Sequence, residues 1–204
     1  SQAEQTVILD SSGGRGGKPP ARKPMPARLG RYELTHELGK GAMGVVYQGR
    51  DPRINREVAV KAIPLADEFD PEDLEQARTR FFREAEMAGR LSHPHIVTIY
   101  DAGEDGGTAY IAMELLRGQH LVEYTSASRL LPTAVAIEIV ARLADALHYA
   151  HQNQVVHRDI KPANIMFDAP SGELKITDFG IARLTDSGRT RTGVVLGTPS
   201  FMSP

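Results

Sequence analysis

The sequence predicts an α+β fold, with an antiparallel sheet and one helix first and a mainly helical part after it. Three observations point there. Five short segments alternate apolar and polar residues or run β-branched: Tyr32–Leu38, Val45–Gln48, Arg56–Ile63, Ile96–Tyr100 and Thr108–Glu114. One long helical pattern, Asp70 to about Leu91, interrupts them, and a second runs from Pro132 to about Asn153. A compact hairpin then closes the interpretable part, with Ile165–Asp168 and Leu174–Thr177 flanking the turn residues Ala169–Gly172.

The balance of the chain is that of a globular protein, with 41% hydrophobic and 25% charged residues. The net charge of −2 gives no global pull toward nucleic acid or a membrane surface. Cysteine is absent, which excludes disulfides, thiolate metal sites and a cysteine nucleophile. No stretch approaches the roughly 20 apolar residues needed to span a bilayer. Residues 1–31 read as a basic Gly/Pro-rich tail with too little apolar surface to offset its ordering entropy. The tail carries +4 and the remainder −6.

After the first strand comes Gly39-Lys40-Gly41-Ala42-Met43-Gly44. The same spacing opens a helix in dinucleotide-binding turns, but here Val45–Gln48 continues as a strand, so the glycines lie in a β-hairpin. Without a Cβ they let the backbone approach phosphates closely. In Arg56–Ile63 the strand period places Ala59, Lys61 and Ile63 on one face and Val58 and Val60 on the other. Asp70 then Pro71 read as N-cap and first helical residue, with Glu72 and Asp73 favourable in the first turn. The stripe of that helix is Leu74, Ala77, Phe81, Glu84, Ala88, Leu91. A carboxylate inside an apolar stripe needs a cationic partner, and Lys61 is the candidate. His93 and His95 have no further ligands nearby in sequence and read as a structural turn. On the second helix, Ile137, Val140, Ala144 and Leu147 form the expected buried face.

Antiparallel pairing across the hairpin brings Asn164 and Asp178 to its open end. Two oxygen-bearing side chains there make a seat for a hard cation such as Mg2+. Asp159 reaches the same place from the preceding loop.

His157-Arg-Asp-Ile-Lys-Pro-Ala-Asn164 followed by Asp178-Phe-Gly180 resembles the catalytic-loop and metal-loop pair of protein kinases. Lys161 resembles the Ser/Thr subclass, and IKPANIMF with DFGIAR is most similar to bacterial, eukaryotic-like Ser/Thr kinases. The resemblance implies the two-lobed protein kinase fold, with a five-stranded N-lobe plus hinge over residues 32–116 and a C-lobe over 117–204. It implies ATP with Mg2+ or Mn2+ as cofactors and protein Ser/Thr hydroxyls as acceptors. Asp159, Lys161, Lys61 and Glu84 take the catalytic positions, and Asn164 and Asp178 the metal positions. Leu38, Gly39, Lys40, Gly41, Ala42, Met43, Gly44, Val46, Ala59, Lys61, Met113, Glu114, Leu116 and Met166 fall on the nucleotide positions. Met113 matches the residue behind the adenine, and Glu114 and Leu116 match the hinge. Thr190 and Thr192 match the autophosphorylation positions of the activation segment, with Arg158 as the phosphate partner. Thr198 in GTPSF matches the residue at the substrate pocket.

The resemblance covers residues 32–204, whereas the family's domain continues beyond the activation segment. It therefore implies a partial C-lobe, and the alternative of a nucleotide-holding fragment with little turnover. A small-molecule phosphotransferase shares a related loop, but GTPSF belongs to a peptide platform. The implied partners are protein substrates and a second copy for autophosphorylation in trans, without nucleic acid or membrane contact. The implied location is cytoplasmic, with a membrane anchor elsewhere in the parent protein.

Overall fold

The structure, a computed structural model, describes residues 25–41 and 44–179. Strands β1 (Arg28–Leu29), β2 (Tyr32–Gly41), β3 (Gly44–Asp51), β4 (Arg56–Ile63), β5 (Ile99–Asp105) and β6 (Thr108–Met113) form one antiparallel sheet, ordered β1-β2-β3-β4-β6-β5. Helices α1 (Leu65–Glu68) and α2 (Pro71–Gly89) lie between β4 and β5 in sequence. After β6 come β7 (Gln119–His120), α3 (Thr133–Gln152), β8 (Ile165–Asp168) and β9 (Glu173–Ile176). The last strands make a second sheet, β7-β8-β9.

The strand period of β4 sorts its side chains as the sequence implies. Ala59 and Ile63 join a core with α1 and α2, built on Leu65, Phe69, Ala77, Phe81 and Ala85. Val58, Val60 and Ala62 join Tyr32, Tyr47 and Tyr110 on the other face. Asp70 is extended, Pro71 opens α2, and Ala77, Phe81, Glu84, Ala85 and Ala88 are its buried residues. A third core joins the two halves: Ala88, Leu91 and Ile96 pack with Ala146, Ala150, Val155, Ile176 and Phe179. Each large side chain buried there contributes about 1.5–3 kcal/mol, more than the roughly 1 kcal/mol net of a hydrogen bond, so apolar burial dominates this junction.

Four expectations change. The sheet has six strands, because Arg28 and Leu29 pair with Glu33 and Tyr32. Residues 28–31 thus leave the segment read as tail. Gly30, at φ +55°, turns the chain back, and its N–H donates to the Asp105 carboxylate at 2.8 Å. The strand expected at Ile96 begins at Ile99 and runs through Gly103 to Asp105, leaving Gly106 and Gly107 as the turn. Residues 95–97 are instead taken up by β9: Val97 N–H donates to the Ile176 carbonyl, and Ile176 N–H to the His95 carbonyl, both at 2.9 Å. A short helix, α1, precedes α2.

The face of α3 is also different. Ile137 and Val140 are exposed at 66% and 63%, Ala144 is exposed and Leu147 half-buried. The buried residues are Ile139, Ala146 and Ala150, with Val135 and Leu143 packed beside them. Almost every position away from Glu138, Arg142 and Asp145 is apolar, so periodicity selects the face opposite the charges. The hairpin docks at the flank of the charges instead: Arg142 Nη1 donates to the Gly172 carbonyl at 2.8 Å.

Of the three glycines Gly39, Gly41 and Gly44, the last is required by the fold itself. Gly44 has φ +135°, a region closed to residues with a Cβ, and an added Cβ would run into the Ala62 carbonyl oxygen. Gly39 and Gly41 differ: a Cβ on either meets nothing within 4 Å among the described residues.

Candidate active site

The loop from His157 to Asn164 hangs on a buried imidazole. His157 is 1% exposed and lies 4.7 Å from the Phe179 ring, edge-on. Its Nε2–H donates to the Thr177 carbonyl at 2.7 Å, and its Nδ1 accepts the Asp159 N–H at 3.2 Å. One donor and one acceptor suit the neutral ring. Burial pushes its pKa below the ordinary 6.5, outweighing the Thr177 carbonyl and the Asp178 and Asp159 charges, which act the other way. Between the lowered folded value and 6.5 the unfolded chain takes up a proton that the folded chain refuses. This contribution to stability is therefore intact above pH 6.5 and lost as the pH falls through that window. Urea unfolding at pH 7.5 and 5.5 is expected to show a larger acid loss in the parent than in His157→Gln. Equal losses would remove His157 as the cause.

Asn164 ends a single 3₁₀ turn, Pro162–Asn164, and is 8% exposed. Its Nδ2 donates to the Asp159 backbone carbonyl at 2.8 Å and to Asp159 Oδ2 at 3.0 Å. With the amide nitrogen committed, Oδ1 is the atom left to meet a cation. The Lys161 ammonium lies 2.7 Å from the same Asp159 Oδ2. Hairpin pairing sets Ile165 opposite Ile176, and Thr177 donates to the Asn164 carbonyl from its N–H at 2.9 Å and its hydroxyl at 3.1 Å. Asp178 is the next residue, at φ +63°, and Arg158 is at φ +69°. Of the four non-glycine residues with positive φ among the described residues, Arg158 and Asp178 lie at this loop pair, where such strain is often functional.

The ion pairs differ from the expected Lys61–Glu84 contact. Lys61 Nζ bonds Asp178 Oδ1 at 2.7 Å, across 117 positions of sequence. Glu84, 7% exposed, has the Arg158 guanidinium at 4.0 Å. Lys61 thus pairs with Asp178 and Arg158 with Glu84. Sequence spacing identifies charges that need partners but not which lobe supplies them. The cations of both lobes converge here, and each anion takes the one that the lobe geometry brings near.

The described residues expected to meet a nucleotide lie on β2, β3, β4, β6 and β8 and just after β6. Lys61 pairs in register with Val46 and Ile111, and Ala59 with Met113. Ala59 and Met113 are buried, and Val46 and Leu116 pack against the same core. Leu38 is 47% exposed, and Gly39, Lys40 and Gly41 are also exposed on β2. Met166 is half-buried in β8, opposite Lys175. Glu114 and Leu116 lie just after β6. Ala42, Met43, Thr190, Thr192 and Thr198 lie outside the described residues. His157 is the residue at this site that the sequence reading passes over, since its weight comes from bonds to both loops.

Among the described residues no group of three or more His, Cys, Asp or Glu side chains gathers to hold a metal ion, and no helix is long and apolar enough to cross a membrane. His93 serves structure: its Nε2 meets Asp145 Oδ2 at 3.2 Å, and its Nδ1 accepts the His95 N–H at 3.1 Å.

Serine/threonine-protein kinase PrkC of Bacillus subtilis is 43% identical over 176 residues, covering 86% of this chain and 26% of PrkC. Serine/threonine-protein kinase PknB of Mycobacterium leprae is 44% identical over 180 residues, covering 85% and 28%. The chain therefore spans about a quarter of the length of the curated relatives it matches. The crystal structure of the Mycobacterium tuberculosis PknI kinase domain superposes with a TM-score of 0.66 at 37% identity, over 76% of this chain and 61% of that one. The protein kinase domain family matches residues 32–204. The chain belongs to the protein kinase family.

Proposed function

We propose that this chain carries the machinery that transfers the ATP γ-phosphoryl group to Ser or Thr hydroxyls of proteins. The observation that carries the reading is one cluster, in which Asp159 is held by Asn164 and Lys161 while Asp178 meets Lys61 from the other lobe. Catalysis of this kind is mostly positioning and charge neutralisation. Asp159 orients the acceptor hydroxyl and takes its proton. Lys161 steadies the γ-phosphate. Lys61 turns from Asp178 to the α- and β-phosphates, and Glu84 steadies it in that position. Gly39, Gly41 and Gly44 cover the phosphates. The open space around Gly39 and Gly41 supports that role, since nothing in the described fold itself demands glycine there. The hinge at Glu114 and Leu116 takes the adenine edge, between Leu38, Val46 and Ala59 above and Met166 below. Thr190 and Thr192 are the proposed autophosphorylation positions, modified by a second copy of the chain.

Asn164 and Asp178 would hold Mg2+ or Mn2+. The donors fit: one carboxylate and one amide oxygen suit a hard cation that takes its remaining ligands from water and substrate phosphates. When bound, such an ion neutralises the phosphate charge. The site faces protein substrates in the cytoplasm. A second reading, nucleotide holding without turnover, is favoured by the Arg158–Glu84 and Lys61–Asp178 pairs, which occupy the groups that turnover would need. Intact mass after incubation with Mg-ATP separates the two. Phosphate gained by the chain, and mapping to Thr190 or Thr192, is the expected result. Bound nucleotide without mass gain would replace the first reading with the second.

A further inference from the structure

The pairing of β5 with β6 carries a register shift between Ile99 and Asp101 and departs from a regular ladder again at its end. The last pair in register is Ile99 with Met113, and Thr98 and Glu114 are the next residues outward. Glu114 N–H donates to the Thr98 carbonyl at 2.9 Å. A regular antiparallel pair would return the Thr98 N–H to the Glu114 carbonyl. Here the Thr98 N–H goes instead to the Glu114 side chain, Oε2, at 3.2 Å. The same oxygen accepts from Lys175 Nζ at 3.0 Å. The two side chains are only 25% and 11% exposed, so solvent screens this pair weakly. Lys175 belongs to β9, the strand that leads into Asp178, and its neighbour Ile176 bonds residues 95 and 97.

We propose that the Glu114 carboxylate and the Lys175 ammonium are positioning residues for nucleotide binding. The carboxylate takes the ladder place of its own backbone carbonyl, which leaves that carbonyl for the edge of a purine base. Lys175 holds the carboxylate there and ties the hinge to the strand that carries Asp178. The inference rests on the nucleotide-binding reading above. It adds a role for two side chains beside the hinge.

The test is the Kd of the chain for Mg-ATP and for Mg-tripolyphosphate, which has the phosphates but no base. Glu114→Ala lets the residue-114 carbonyl return to Thr98, and Mg-ATP is expected to weaken about tenfold, the worth of one hydrogen bond. Tripolyphosphate binding is expected to stay within about twofold, since the phosphate-holding groups are untouched. Glu114→Gln keeps an oxygen for Thr98 and is expected to restore most of the loss. Lys175→Met is expected to fall between them. Equal weakening of both ligands in Glu114→Ala would reduce the pair to a structural one and overturn the proposal. So would Mg-ATP affinity within twofold of the parent. A parent chain that binds tripolyphosphate no more weakly than ATP would overturn the base-holding reading itself.

Discussion

Asp178→Asn is expected to lower phosphoryl transfer by about three orders of magnitude while the chain still folds. Removing one preorganised electrostatic group from a reaction centre typically costs about 10²–10³ in rate. Asp178 meets Lys61 at 2.7 Å, and in the proposed site it is also the charged ligand for the cation. Its backbone sits at φ +63°, where Asn is as well tolerated as Asp. The substitution therefore adds no strain and changes mainly charge. Lys61 loses a partner while 8% exposed, which costs stability unless it finds another anion. Glu84, also buried, lies on the same core face and is the natural replacement. A transfer assay beside a thermal melt checks both halves. A transfer rate within tenfold of the parent would remove Asp178 from the reaction, and loss of the folded melt would make it structural first.

Much of this site is legible in sequence because its parts are local. Hairpin pairing depends on two short strands and a turn, so Asn164 and the residues before Asp178 meet as the alternation requires. The two faces of β4 follow from the strand period alone, and α2 begins where Asp70 and Pro71 place it. What stays hidden depends on distance in the chain. Lys61 and Asp178 are 117 positions apart, and whether Lys61 meets Asp178 or Glu84 is decided by how the lobes sit. The docked face of α3 is hidden for a different reason. A helix apolar over more than half its circumference carries two usable stripes, and the hairpin chose Ile139 over Ile137. Strand β1 is hidden because two residues make no pattern. The Glu114 carboxylate is hidden because its partners, Thr98 and Lys175, come from two other segments.

Asp159→Asn is expected to reduce the rate of transfer by about 10²–10⁴, the usual range for a lost general base, with Mg-ATP affinity nearly unchanged. Among the described residues, the two side-chain bonds that Asp159 makes fall on Oδ2, from Asn164 at 3.0 Å and from Lys161 at 2.7 Å. An asparagine at this position can keep those two donors on its single carbonyl oxygen. The second oxygen becomes an NH2, which cannot accept a proton from an incoming hydroxyl. The backbone anchors also survive, since the residue-159 N–H still reaches His157 and its carbonyl still takes the Asn164 amide. The substitution thus isolates the proton-accepting oxygen from the scaffold around it. Nucleotide affinity should hold because the base and the phosphates are assigned to the hinge, Lys61 and the glycine strands. Single-turnover transfer to a peptide, with the Kd for Mg-ATP measured alongside, reads the two effects apart. A rate within tenfold of the parent would show that the hydroxyl needs no base here. A loss of Mg-ATP affinity as large as the loss of rate would move Asp159 from the acceptor side of the reaction to the nucleotide side.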